Sequence, residues 1–206
     1  MSEKNKPSPI QFYFDFSSPY GYFAAMYIDE LAVKYGRQVD WYPILLGAIF
    51  KITESKPLLN FPLKGPYSLH DMERTARLHK IDFTLPSVFP ISSHHAARAM
   101  LWIQKQHGKD AAKQFAKKIY QAFFVEDINV SEVEAVLSVA VACGFDAASV
   151  GHGLAEQEIK DQLKADNESA IAKGIFGAPF IIVDGEPFWG FDRFYQIEAL
   201  LKNGEI

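Results

Sequence analysis

Two short apolar segments about 160 residues apart each run into a proline, and together they constrain the fold more than anything else in the chain. The first, Phe12-Tyr13-Phe14-Asp15-Phe16-Ser17-Ser18-Pro19-Tyr20, begins as an apolar run too short for a helix and leads straight into helical spacing. Ser18 reads as the N-cap of that helix, because its oxygen can accept a free N–H of the first turn. Pro19 reads as the first helical residue, where a missing N–H costs nothing. The second segment, Phe176-Gly177-Ala178-Pro179-Phe180-Ile181-Ile182-Val183, reads as a turn ending in proline at the head of another buried strand. A helix that starts at the carboxyl end of a strand points its free N–H groups and partial positive charge to where open α/β sheets bind ligands.

The rest of the chain fills in an order of βαβ, a helical block of about 100 residues, then ββα. Residues 10–16 are expected to form a central strand. Tyr20 to Tyr35 sets Tyr20, Phe23, Ala24, Tyr27 and Leu31 on one side of a helix that Gly36 stops. Val39–Leu45 is rich in β-formers, and residues 46–67, with Gly47, Pro57, Pro62, Gly65 and Pro66, read as mostly loop. Within the helical block, Ser68 is expected to cap Asp71–Lys80, and Ser92 or Ser93 to cap a helix through Gln106. Asp110 opens another helix towards Phe124. Ser131 with Glu134 forms a capping box for Val133–Cys143, and Gly153–Lys173 is a last helix closed by Gly174. Asp184-Gly185 predicts a type I′ hairpin between Phe180–Val183 and Glu186–Trp189, followed by a helix over Asp192–Lys202. The expected division is one α/β domain from residues 1–67 and 174–206, with residues 68–173 as a helical insertion domain.

Composition excludes several classes of function. A net charge of -4 favours neither nucleic acid nor an anionic membrane surface. No run approaches 18 apolar residues, and Met1 to Pro9 has no apolar h-region, so the expectation is a cytosolic chain without a membrane span. Cys143 is the only cysteine, which excludes an internal disulfide or redox dithiol. His94 and His95 are adjacent and do not share a helix face, His70 and His79 lie nine apart, and no cluster has zinc spacing. There is no phosphate-binding glycine loop and no Gly-x-Ser-x-Gly elbow.

Ser18 is then the leading candidate for chemistry. It is either an N-cap alone or a hydroxyl that holds a thiolate at a helix N-terminus, where thiol pKa values fall and charge-assisted hydrogen bonds are strong. Lacking an evident partner base, it is a weaker candidate for a nucleophile. Should Ala178-Pro179 be cis, the Ala178 backbone could pair with a peptide-like ligand as an added strand. Trp189-Gly190-Phe191-Asp192-Arg193 offers a carboxylate beside helix N–H groups, suited to an amino acid's α-amino and α-carboxylate pair. Lys51, Asn60, Lys64, Arg74 and Arg77 are either solvated or counter a carboxylated substrate together.

The chain resembles the 2-hydroxychromene-2-carboxylate isomerases and, with them, the kappa-class glutathione transferases of the DsbA-like branch of the thioredoxin superfamily. The resemblance rests on six segments in order: Phe14–Tyr20, Leu45–Lys51, Asn60–Lys64, Asp71–Arg74, Gly174–Pro179 and Trp189–Arg193. It implies a thioredoxin-like βαβ…ββα sheet with a large all-helical insertion, and glutathione as cofactor. The thiolate would add reversibly to an unsaturated aromatic carboxylate so that its double bond can rotate. By the same resemblance Ser18 activates the thiolate, Ala178 and Pro179 hold the cysteinyl unit, and Trp189, Gly190, Phe191 and Asp192 form the γ-glutamyl site. Lys51, Asn60, Lys64 and Phe89 would face the substrate. Phe191 stands where relatives often carry Asn or Ser, and Phe89 where some isomerases have tyrosine. The implied assembly is a homodimer with no nucleic-acid or membrane partner. A kappa-type transferase and a non-catalytic binding module on the same scaffold are the alternatives.

Overall fold

The computed structural model describes residues 7–206, so the reading of Met1 to Pro9 as a short polar lead falls largely outside the described residues. Among the described residues, four strands form one sheet in the order β2-β1-β3-β4. They are β1 (Ile10–Phe14), β2 (Val39–Pro43), β3 (Phe180–Val183) and β4 (Glu186–Trp189). β1 runs parallel to β2, from Ile10 opposite Val39 to Phe14 opposite Pro43, and antiparallel to β3. This is a thioredoxin-like sheet, as expected. Its period of two sends Ile10, Phe12 and Phe14 to one face and Tyr13 to the other, and the two faces belong to separate apolar clusters.

The helices are α1 (Pro19–Lys34), α2 (Leu46–Ile52), α3 (Lys64–His79), α4 (His94–His107), α5 (Lys109–Phe124), α6 (Val133–Ala142), α7 (Ala147–Ala155), α8 (Gln157–Ala172) and α9 (Phe194–Asn203). The larger cluster runs without a break from Phe12 and Phe14 through Phe23 and Ile28 of α1 to Met100 of α4 and Phe115, Ile119 and Phe123 of α5. The helical block therefore shares its core with the sheet. Phe14 stacks on Phe12 and meets Phe16, Trp41 and Tyr120 at ring-centroid distances of 5.2, 5.3 and 5.9 Å.

Several expected boundaries are corrected. Residues 46–67 are not mostly loop: they hold α2, a 3-10 turn at Leu58–Asn60 and the start of α3. α3 begins at Lys64 because Gly65 and Pro66 fall in its first turn, where proline is tolerated. Ser68 is thus interior to α3 rather than a cap, and the expected division at 67/68 falls within that helix. The capping box at Ser131 and Glu134 does not form; the Ser131 hydroxyl donates to Asn129 Oδ1 instead, at 2.7 Å. The single helix expected over Gly153–Lys173 is two, α7 and α8, broken at the extended Glu156. Asp192 is not an N-cap but lies inside a 3-10 turn, Phe191–Arg193. The hairpin matches its signal, with φ of 52° at Asp184 and 94° at Gly185. Among the described residues no helix is long and apolar enough to cross a membrane, and no group of His, Cys, Asp and Glu could hold a metal ion.

One ion-pair group fastens the helical block to the sheet side. Asp29 of α1 accepts from Lys113 Nζ at 2.9 Å and Trp41 Nε1 at 3.2 Å, and lies 3.1 Å from Lys117 Nζ. Burial alone would raise the Asp29 pKa, but the Lys113 hydrogen bond and the two lysine charges outweigh it and hold it below the usual carboxylate range. A depressed folded pKa contributes stability above the unfolded value that is lost as pH falls through the folded one. Lys113→Ala should therefore cost about 1 kcal/mol near neutral pH, and the difference from wild type should shrink below about pH 4. Urea unfolding across that range checks this; a constant gap would mean that the pair adds nothing.

Candidate active site

The turn between β1 and α1 is built by local capping. Ser18 is extended, with φ -98° and ψ 113°, and its Oγ accepts from the Gly21 N–H at 3.0 Å. The same hydroxyl donates to the Ala178 carbonyl at 3.1 Å, joining the helix tip to the Ala178-Pro179 peptide, which is cis. Gly21 is required by close approach, since a Cβ there would stand 2.9 Å from Tyr120 Oη and 3.2 Å from Ser18 Oγ. Ser18 is buried, with 5% of its surface exposed.

Each polar side chain from Asp15 to Tyr20 fastens a different part of the surroundings. Ser17 Oγ accepts from the Ile91 N–H at 3.1 Å, which holds the loop that follows α3. Tyr20 Oη donates to Asp71 Oδ2 at 2.6 Å, which holds α3, and Asp71 is itself paired with Arg74. Burial, then Asp71, pushes the Tyr20 pKa far above that of an ordinary phenol, so it stays a protonated donor. Asp15 Oδ1 accepts from the Ser93 hydroxyl and the Ser17 N–H, and Oδ2 from the Leu46 N–H, at 2.7, 2.8 and 2.7 Å. Burial outweighs these three donors and leaves the Asp15 carboxyl above the usual carboxylate range.

These ties enclose a cleft of about 830 Å³ above Ser18, within the size range of small-molecule sites. Ser18, Lys51, Lys64, Phe89, Ala178 and Trp189 all line it, so the structure brings these sequence candidates together. Asn60 is exposed and is not in the lining. Arg74 turns to Asp71 and Tyr67, and Arg77 lies 4.0 Å from Glu73. Pro179 is buried beneath the lining, and its carbonyl accepts from the Gly190 N–H at 3.0 Å. Phe191 is a core residue here: its ring meets Phe23, Tyr27, His79 and Phe194, and this explains why an apolar side chain occupies the position. Asp192 is exposed, with Arg193 3.5 Å away.

Sequence reasoning passed over several lining groups. Lys56 joins Lys51 and Lys64 in the lining, and both Lys56 and Lys64 lie over the Phe61 ring, at 4.8 and 5.4 Å from its centroid. The Phe89-Pro90 peptide is also cis, and Phe89, Pro90 and Ile91 form one wall. Asp15 is the single carboxylate in the lining; a charged residue ending an apolar strand was its only signal. A second cavity, of about 960 Å³, shares no lining residue with the cleft and contains Cys143. Burial raises the pKa of that thiol, the opposite of what a reactive cysteine needs.

The description DSBA-like thioredoxin domain matches residues 9–202, and the chain belongs to that family. It is 27% identical over 194 residues to 2-hydroxychromene-2-carboxylate isomerase of Sphingobium xenophagum, covering 93% of this chain and 97% of the relative. It is also 27% identical over 205 residues to glutathione S-transferase kappa 1 of Caenorhabditis elegans, covering 94% and 90%. A solved structure of 2-hydroxychromene-2-carboxylate isomerase superposes with a TM-score of 0.83 at 25% identity, covering 95% of each chain.

Proposed function

We propose that this member of the DSBA-like thioredoxin family is a glutathione-dependent isomerase of an unsaturated aromatic carboxylate, of the 2-hydroxychromene-2-carboxylate type giving trans-o-hydroxybenzylidenepyruvate. The observation that carries the reading is the Ser18 hydroxyl, held between the Gly21 N–H and the Ala178 carbonyl at the floor of an apolar cleft edged by lysines. Relatives named as such isomerases at about a quarter identity support it.

The residues present suit a carboxylated thiol. The lining contains no cysteine, so any sulfur chemistry there belongs to a bound molecule. Three lysines offer charge to carboxylates, while the single carboxylate in the lining already accepts three hydrogen bonds. When bound, glutathione supplies a nucleophilic sulfur that can add reversibly to a carbon–carbon double bond and release it for rotation. Ser18 would turn its one hydroxyl proton from the Ala178 carbonyl to the sulfur, aided by the positive end of α1, and so free that carbonyl for the bound molecule. The Ala178 backbone pairs with the cysteinyl unit, and the Trp189–Asp192 backbone with the Asp192 carboxylate takes the γ-glutamyl group. Lys51 and Lys64 counter the substrate carboxylate, and Phe89 packs on its ring. The expected assembly is a homodimer in the cytosol.

A kappa-type transferase is the second reading, favoured by the kappa relative at equal identity. The two differ in bookkeeping: an isomerase returns glutathione after each turnover, whereas a transferase consumes it. The test of the shared premise is thermal. Free glutathione at a hundred times its dissociation constant should add about 2.7 kcal/mol, or about 2–4 °C for each kcal/mol. No rise in melting temperature at millimolar glutathione would end the proposal.

A further inference from the structure

Asp15 is a buried carboxyl group for which the reaction above has no use. Only 4% of it is exposed, and a carboxylate so enclosed is unfavourable unless its oxygens are hydrogen-bonded. Here they are, by donors from three places. Ser17 belongs to the turn that carries Ser18, Leu46 opens the helix that carries Phe50 and Lys51, and Ser93 immediately precedes α4, two residues after Ile91. The Asp15 carbonyl in turn accepts from the Ser18 N–H and from Tyr120 Oη, both at 2.9 Å. The residue thus sits where the floor of the cleft and two of its walls converge.

The choice of side chain is informative. Both carboxylate oxygens act as acceptors, one of them twice. An asparagine of the same shape would have to turn an N–H2 towards either the Leu46 N–H or the Ser17 and Ser93 donors, leaving buried donors facing each other. A carboxyl group can offer an acceptor oxygen to each of the two N–H donors, and an amide cannot.

We infer that Asp15 is a positioning residue that sets the spacing between the Ser18 floor and the Phe89–Ile91 and Leu46–Lys51 walls, and so the fit of the second substrate beside the thiol. It acts through Ser93, Ser17 and Leu46 rather than on reacting atoms. The identity of the molecule at Ser18 rests on the glutathione reading; the placement of the walls does not.

The first test is free of glutathione. In Asp15→Asn, and more mildly in Ser93→Ala, amide hydrogen exchange measured by mass spectrometry should speed up in residues 46–53 and 89–93 while the β3–β4 hairpin keeps its protection. Unchanged exchange in both walls, or a uniform rise across the chain, would overturn the inference. The second test is kinetic, with trans-o-hydroxybenzylidenepyruvate and chlorodinitrobenzene as second substrates. Ser93→Ala removes one hydrogen bond to the buried Asp15 carboxyl and should raise KM for whichever is turned over by about tenfold, with kcat falling less than about threefold. The pKa of bound glutathione should not move, and Ser93→Thr should restore KM. A lowered melting temperature with KM unmoved would reduce Asp15 to a structural residue and sink the proposal. Absence of glutathione binding in the wild type would instead sink the proposed function, with the exchange result still deciding the role of Asp15.

Discussion

Replacing Ser18 by alanine should raise the pKa of enzyme-bound glutathione by about 1–2 and slow turnover by roughly 10- to 100-fold. A hydrogen bond to a charged acceptor contributes about 1.5–3 kcal/mol, and each 1.36 kcal/mol corresponds to about one pKa unit or a factor of ten in rate. The loss should not be complete, because the positive end of α1 remains and still favours an anion. The Gly21 N–H, which Ser18 Oγ accepts in the wild type, would also be freed to face the sulfur. Stability should fall as well, by about 1 kcal/mol, since the same oxygen caps α1. Ser18→Thr keeps both the hydroxyl and the cap, so it separates the two effects. Ultraviolet titration of the bound thiolate is the decisive measurement. A pKa identical in wild type and Ser18→Ala would remove Ser18 from the chemistry and leave it as a cap.

Phe14→Ala should be the most damaging single change to stability, by about 3–5 kcal/mol. Phe14 has no exposed surface and sits where rings from β1, β2 and α5 meet. Deleting its ring opens a cavity bounded by other aromatic side chains, which have little freedom to collapse into it. The effect should be felt on both sides of the molecule, because one apolar cluster spans the sheet and the helical block. We propose accordingly that residues 68–173 are an insertion in sequence but not an independently folding unit. Trp41 lies in β2 and Trp102 in α4, so their fluorescence, separated by single-tryptophan variants, reports the two parts. In Phe14→Ala the two should still unfold in one transition at a lower urea midpoint. Persistence of the Trp102 signal after Trp41 has unfolded would mean that the helical block has a core of its own.

Much of the scaffold was legible in the residues, and the reasons are local. The Ser18 cap spans three residues, the β3–β4 turn depends on two, and β1 follows from a compact apolar run too short for a helix. The site was legible in part. Ser18, Ala178 and Trp189 converge because a helix tip, a proline turn and a strand end meet at one edge of the sheet. The Phe89–Ile91 wall was visible only as one aromatic position, since nothing in a loop's composition says which element it will lean on. Phe191 shows the converse: its neighbours in sequence suggested a ligand site, but its ring completes the core between α1 and α9.

By itself the sequence determined what forms within a few residues: the strands, α1, the Ser18 cap, the hairpin, and the lack of any cysteine but Cys143. Only tertiary structure decided which elements face one another across the cleft. Asp15 meets Leu46 31 residues away and Ser93 78 away, and Ser17 meets Ile91 74 away. It also seated Gly153 against the Trp102 ring, where a Cβ would come within 2.2 Å. The physical reason is that capping and turn preferences act over one or two turns of chain. The pairing of buried polar groups depends on which apolar faces have already packed, and no short window of sequence carries that information.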